Sequence, residues 1–354
     1  MTRSGFILRT DADHAVGMGH LSRCLSLASG LEARGHAVRF AVRRADASAL
    51  ARLDQYEVIR IPQDAGWKDE LGLLSAVRDR GCLVMDLSHT DSFARIEGFS
   101  EHTRQLADAF KGVVLIDGLR DNALAESVDV HAGMVVAPYV GADVERIRAV
   151  RARRLCGPQY MIFDPGYARA PERRDVPERA RRILVTAGGA DPQGLSLAAL
   201  EACREAAGDL RVRLVVGGGF DTGLRKALET RVMDFEGCEL VLSPSSLVDE
   251  MLWADLAVSA SGLTKYELAL CGTPAILLST CREFAEVNRP FAETGTSLDL
   301  GVFSDLAPGR LAAALRDMVA DRKGRLAMAR AGQRLVDPHG TNRVIDAMEA
   351  LIGA

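Results

Sequence analysis

No apolar run in this chain approaches the length of a bilayer span, and Cys-x-x-Cys, His-x-x-x-His and His-Glu-x-x-His spacings are all missing. The first absence argues against a helical membrane protein, and the others argue against a structural zinc site or a zinc-protease-like centre. Seven cysteines are scattered at 24, 82, 156, 203, 238, 271 and 281, so they read as reduced core residues rather than a disulfide framework. A basic excess is missing too. A formal net charge of -4 offers no broad positive field, which argues against nucleic acid as the main partner. The opening residues Met1-Thr2-Arg3-Ser4-Gly5 lead into a strand without a secretory apolar core, so the cytoplasm is the expected compartment. Low-complexity segments and short-period repeats are absent as well.

What is present is enough chain for two cores, 354 residues with 26% charged side chains. Apolar, β-branched segments alternate with helical ones. Phe6 to Leu8, Val38 to Val42, Tyr56 to Ile61, Cys82 to Leu87, Val113 to Ile116 and Met134 to Val136 read as successive strands of a parallel sheet. A proline- and arginine-rich stretch with little periodicity interrupts the pattern. The alternation then restarts at Ile183 to Val185, Val212 to Val216, Leu240 to Leu242, Leu256 to Val258 and Ala275 to Leu278. The fold class expected is α/β, two doubly wound Rossmann-like domains facing a cleft. The first domain covers 1–156, a linker 157–180, the second domain 181–340, and a C-terminal helical segment 341–354.

One segment of the first half stands out for its chemistry, Arg9-Thr10-Asp11 followed by Gly17-Met18-Gly19-His20-Leu21-Ser22-Arg23-Cys24. A strand gives way to a glycine loop, and Leu21, Cys24, Leu25, Ala28 and Leu31 recur at helical spacing up to Gly35. His20 therefore falls at a helix N-terminus. Free N–H groups and the macrodipole there favour anions and oppose an imidazolium, so His20 is expected neutral and able to accept a proton. The plainer alternative is a capping or core histidine; Asp11 and Arg23 beside it weigh toward a site. Asp86 and Asp117 end strands of the same half, each placed either to enter a cleft or to cap the next helix, and His89 follows Asp86 closely.

In the second half, Thr186-Ala187-Gly188-Gly189-Ala190-Asp191-Pro192 ends a strand with paired glycines that let amides approach a ligand, or forms an ordinary turn with Asp191 as a cap. Gly217-Gly218-Gly219 is weaker and reads as a flexible connection. Ser259 to Glu267 is the strongest signal here. Its small residues expose amides around Ser261, Gly262, Leu263 and Thr264 that can bind a diphosphate, with Glu267 one turn on for ribose hydroxyls. Thr264-x-x-Glu267 is equally the pattern of a capping box.

Taken together, these segments, with Gly157-Pro158-Gln159-Tyr160, Gly272-Thr273-Pro274 and Asp337 to Arg343, resemble the UDP-sugar hydrolases of pseudaminic acid synthesis and their polysaccharide-biosynthesis relatives. The resemblance spans nearly the whole chain and implies a GT-B-like fold, shared with the peptidoglycan N-acetylglucosaminyltransferase, with the nucleotide on the second domain. It also implies a C-terminal helix that crosses back to the first domain. His20 is implied as the proton acceptor, Glu267 as a ribose ligand, the Val248 backbone as a contact to the base, and Asn288 as a further substrate contact. Two departures stand out: Asp86-Leu87-Ser88 where the family reads Asp-His-Tyr, and Cys281 to Asn288 without the family's glutamine.

The activity this reading implies is hydrolysis of a UDP-activated amino-deoxy sugar, UDP-2,4-diacetamido-2,4,6-trideoxy-β-L-altropyranose by resemblance, feeding surface or flagellar glycans. No cofactor and no metal are expected. A GT-B glycosyltransferase and a non-catalytic nucleotide-sugar binding protein are the alternatives.

Overall fold

A computed structural model of the chain describes residues 4–13, 16–77, 80–87, 99–116, 130–142, 152–170, 174–206 and 209–353. It divides into two units, residues 1–165 with 339–354 and residues 166–338.

The first unit runs β1 (Gly5–Thr10), α1 (Gly19–Ala33), β2 (Ala37–Val42), α2 (Ala47–Ala51), β3 (Glu57–Arg60), α3 (Trp67–Ser75), β4 (Arg80–Asp86), α4 (Phe99–Ala109), β5 (Gly112–Ile116), β6 (Met134–Ala137) and β7 (Arg153–Cys156). Its described strands form one parallel sheet in the order β3-β2-β1-β4-β5-β6-β7. Strand residues alternate between two buried layers. Phe6 and Leu8 pack with Leu21, Cys24 and Leu27 of α1, while Ile7 packs with Leu74 and Leu106 on the opposite face. Burial on both faces explains why these strands read as continuous apolar runs.

The second unit repeats the plan with β8 (Arg182–Thr186), α5 (Leu195–Glu205), β9 (Arg211–Val216), α6 (Thr222–Met233), β10 (Cys238–Leu242), α7 (Val248–Trp253), β11 (Leu256–Ala260), α8 (Thr264–Cys271), β12 (Ala275–Ser279), α9 (Arg282–Glu293), β13 (Ser297–Val302), α10 (Arg310–Ala320) and α11 (Arg322–Leu335). Its parallel sheet has the order β10-β9-β8-β11-β12-β13. Each unit thus starts with a central strand, builds outward to one side, and returns to build on the other. The order reverses between β1 and β4 in one sheet and between β8 and β11 in the other. In open α/β sheets the crevice outside the carboxyl ends of the strands at such a reversal is where ligands bind.

The last helix, α12 (Gly340–Ile352), belongs to the first unit. Val344, Ile345, Ala347 and Met348 join the core beside α1. Thr341 Oγ1 donates to the Phe163 carbonyl and accepts from the Phe163 amide, both at 2.9 Å, and His36 and Arg34 meet Glu349.

The stretch expected as a linker over 157–180 is different in kind. Met161, Ile162 and Phe163 are buried in the first unit, and Tyr167, Val176 and Ala180 are buried in the second. The Arg174 guanidinium caps carbonyls at two helix ends, those of Met251 and Leu252 in α7 with Ala254 just after it, and Cys271 of α8. Side-chain anchors hold this segment, which is why its lack of periodicity read as a connection. The sheets also hold two edge strands not expected from sequence, β7 and β13, whose charged residues Arg153, Arg154 and Asp299 break the apolar pattern.

Candidate active site

At the strand reversal of the first unit, Thr10 and Asp86 are paired neighbours at the ends of β1 and β4, and α1 begins just beyond. Gly17 takes a positive φ of 82°, which glycine tolerates without strain, and its amide bonds to the Asp13 carbonyl at 2.8 Å. That turn delivers Met18 as N-cap and Gly19 as the first residue of α1, so His20 sits in the first helical turn as the glycine pattern predicts. His20, Arg23 and Cys24 follow at i, i+3 and i+4 and share one helix face.

That face closes on Asp86. The carboxylate has no exposed surface; Oδ1 lies 2.6 Å from His20 Nδ1 and 2.6 Å from Arg23 Nη2, and Oδ2 lies 2.6 Å from Arg23 Nε. Cys24 Sγ approaches Oδ2 at 3.9 Å. Burial by itself would raise the Asp86 carboxyl. The charges and hydrogen bonds of Arg23 and His20 outweigh it and hold the group at about 2. The Cys24 thiol goes the other way, pushed well up by burial and then by Asp86, so it is no nucleophile here. An ionised acceptor against Nδ1 keeps a proton on that nitrogen, so in the neutral ring the lone pair falls on Nε2. The His20 side chain keeps 18% of its surface exposed, whereas Arg23 and Asp86 are sealed.

Two residues expected to contact substrate have other work. Asp11 Oδ1 accepts from Arg9 Nη1 at 2.6 Å and from the Arg43 and Arg44 amides at 2.8 and 3.0 Å, tying β1 to the loop after β2. It is buried, so it shapes the loop rather than presenting a carboxylate outward. Arg23 is likewise engaged by Asp86, through the Nε–Nη2 edge of its guanidinium. Sequence reading missed the charge cluster behind Asp11, in which Glu70 binds Arg9 Nε at 2.7 Å and Arg43 Nη2 at 2.5 Å. Glu70 comes from α3, far in sequence, and nothing in its spacing signals the contact. Asp117 and His89 lie outside the described residues.

In the second unit, the loops after β8 and β11 stand side by side at the other reversal. Gly188 is exposed with a positive φ of 79° and open space where a Cβ would stand. Gly189 packs against the glycine run after β9. Gly219 donates to the Gly189 carbonyl at 2.9 Å, and a Cβ on Gly217 would collide with that oxygen. The run read as a flexible connection is therefore a close backbone contact. Asp191 is a cap, as one of the two readings had it. Its carboxylate takes the Leu195 and Ser196 amides of α5 at 2.8 and 2.9 Å and also the Ser196 hydroxyl.

After β11, the Ser261 amide bonds to the Leu278 carbonyl and the Gly262 amide to Ala260, each at 3.0 Å. Gly262 faces open space. Leu263 is the N-cap of α8 and Thr264 its first residue. A capping box needs Thr264 at the N-cap, so that arrangement does not form. The Thr264 and Lys265 amides at the start of α8 precede the first intrahelical acceptor, the Tyr266 amide bonds to the Leu263 carbonyl at 2.9 Å, and Glu267 lies in the same turn. Val248 opens the short helix α7 with its side chain buried and its amide 3.5 Å from Ser246 Oγ.

Asn288 departs from expectation. It has no exposed surface; Oδ1 accepts from Lys265 Nζ at 2.5 Å and Nδ2 donates to Ser279 Oγ at 3.0 Å. With both ends committed it ties α8 to α9 and β12 instead of facing a ligand. Lys265 itself, missed from sequence, is buried, and desolvation pulls its amine down to about 7 against the opposing pull of Asp299. Among the described residues no cluster of His, Cys, Asp and Glu could hold a metal ion, and no helix is long and apolar enough to cross a membrane.

No family model matches the chain. It is 24% identical over 344 residues to the spore coat polysaccharide biosynthesis protein SpsG of Bacillus subtilis, covering 96% of each. It is 27% identical over 186 residues to the UDP-N-acetylglucosamine–N-acetylmuramyl-(pentapeptide) pyrophosphoryl-undecaprenol N-acetylglucosamine transferase of Geobacter sulfurreducens, covering 51% of this chain and 50% of that enzyme. Among solved structures, MurG of Acinetobacter baumannii superposes with a TM-score of 0.66 over 98% of this chain and 99% of that one, at 14% identity. The fold is thus the GT-B-like α/β fold of two Rossmann-like domains that the sequence predicts.

Proposed function

We propose that this protein is a nucleotide-sugar-using enzyme of polysaccharide biosynthesis that transfers a glycosyl group from a UDP-sugar to a hydroxyl, with His20 as general base. The observation that carries the reading is the His20–Asp86 pair at the end of β4, an imidazole held by Nδ1 on an ionised carboxylate with Nε2 left to accept a proton. In the reaction, Nε2 takes the acceptor's proton while its oxygen attacks the anomeric carbon. The bond from that carbon to the β-phosphate oxygen breaks, and UDP leaves. On the second unit, the Thr264 and Lys265 amides at the start of α8 and the glycines after β8 are suited to a diphosphate, and Glu267 to a ribose. The likeness to SpsG along the full chain supports the pathway class, and the likeness to a UDP-N-acetylglucosamine transferase supports the donor.

A second reading keeps the donor and base but makes water the acceptor. It rests on the Gly17 to Cys24 segment, which resembles the UDP-sugar hydrolases of pseudaminic acid synthesis. One experiment separates the two. The protein is incubated with a panel of UDP-sugars, with and without candidate glycan acceptors, and products are followed by NMR. UDP release that needs an acceptor and yields a glycoside supports transfer. Free reducing sugar in water alone supports hydrolysis. General-base assistance is worth on the order of 10²–10⁴ in rate, so His20→Ala should lose turnover by that factor in either case while UDP affinity holds. Turnover by H20A close to wild type would refute the base assignment.

A further inference from the structure

Arg23 does more than neutralise a buried charge. Its guanidinium grips both oxygens of Asp86, and the oxygen that receives Nη2 is the same Oδ1 that receives His20 Nδ1. From this shared atom we infer that Arg23 is a positioning residue: it fixes the carboxylate plane that orients His20, and it competes with the imidazole for Asp86 so that His20 gives up its second proton readily.

The competition follows from geometry. A carboxylate sealed from water needs a cation. Were His20 the sole partner, the pair would be most stable as imidazolium and carboxylate, and His20 would keep the proton a base must lack. Arg23 supplies a permanent charge that cannot be lost near neutrality, so the requirement is met without the imidazolium. Among the described residues, the groups facing this cluster are Thr10 of β1, Asp86 of β4, and Arg23 and Cys24 of α1, with Arg52 reaching Ser22 one turn along at 2.9 Å. Asp86 is the one carboxylate shown bonded to His20. The bidentate fork also explains why the position calls for arginine, since a lysine could meet just one oxygen squarely.

This inference builds on His20 acting as base, and its first test does not depend on that role. The His20 ring is titrated by NMR in the free protein, with no substrate, in wild type, R23K and R23M. The midpoint should rise by about one unit or more in R23M, where Asp86 is left to the imidazole alone, and stay within about half a unit in R23K. An unmoved midpoint in folded R23M would overturn the inference even if His20 proves catalytic. H20A retaining activity would instead sink the catalytic reading and leave the titration result standing. The second test is kinetic. R23K should lower kcat about tenfold at nearly constant KM, because the orientation of the base suffers and substrate contacts do not. The acid limb of the kcat/KM profile should move upward in R23M. R23K carries the test alone if R23M does not fold, and wild-type turnover in R23K would overturn the proposal.

Discussion

Removing a carboxylate from water as completely as Asp86 is removed leaves it charged only while cations press on it, and this has a measurable cost in acid. The native group sits near 2, below its ordinary value, so the ion cluster contributes stability above pH 4 and loses it as pH falls toward 2. The contribution is on the order of 2 kcal/mol. Wild type should therefore lose stability across that window more steeply than Asp86→Asn, as read by urea unfolding at stepped pH. Lys265 gives a slope of the same sign in a higher pH window, from desolvation rather than from paired charges. Its amine is lowered to about 7 by burial, so between pH 7 and 10 the unfolded chain binds a proton that the native one does not, and stability rises with pH. Lys265→Met should flatten that rise; a parallel pair of curves would mean the amine is solvated. The sequence made His20 legible through its glycine loop, and the i, i+3 spacing to Arg23 was there to be used. Asp86 was visible only as a strand-end acid with two possible roles. Lys265 and Glu70 were invisible, because their partners arrive from distant elements.

Elements built by periodic burial were the easiest to read, and those set by edges or backbone contact were not. β7 and β13 carry charges because one side of each is an edge, and the segment around Arg174 is ordered by carbonyl bonds that leave no pattern in the sequence. The glycine loops behave similarly. Gly217 packs against the Gly189 carbonyl, so Gly217→Ala must push the two loops apart. It should weaken UDP binding at least several-fold while thermal stability falls modestly, checked by calorimetry and thermal melts side by side. Glu267 gives the sharper test at this scale. Since α8 starts at Thr264 and no capping box forms, Glu267→Ala removes no N-cap, and its effect on nucleotide affinity should exceed its effect on stability. If it holds the ribose, UDP affinity drops by tenfold or more. Unchanged affinity would remove Glu267 from the nucleotide site.

At the scale of the whole molecule, two units built on one strand order are joined by a chain that crosses twice, at residues 165–166 and 338–339. The restart of alternation made the duplication readable, whereas the first crossing was placed over a broad linker because anchored irregular chain looks like connection. The second crossing has an energetic consequence. Without α12 the first unit would lose Val344, Ile345 and Met348 from its core, and truncating one such side chain costs roughly 2–5 kcal/mol against a total stability of roughly 5–15. A fragment of residues 1–165 should therefore fail to fold. The hydrogen bonds between Thr341 and Phe163 show that the ends of the two pieces meet, so a short glycine–serine bridge can join residue 165 to 339. That fusion should recover a cooperative thermal transition and the His20 ring titration of the full chain. Residues 166–338 keep their whole sheet and should fold alone, binding UDP if the nucleotide belongs to this unit. Cooperative folding of 1–165 without the helix would show that α12 merely covers a core that is already complete.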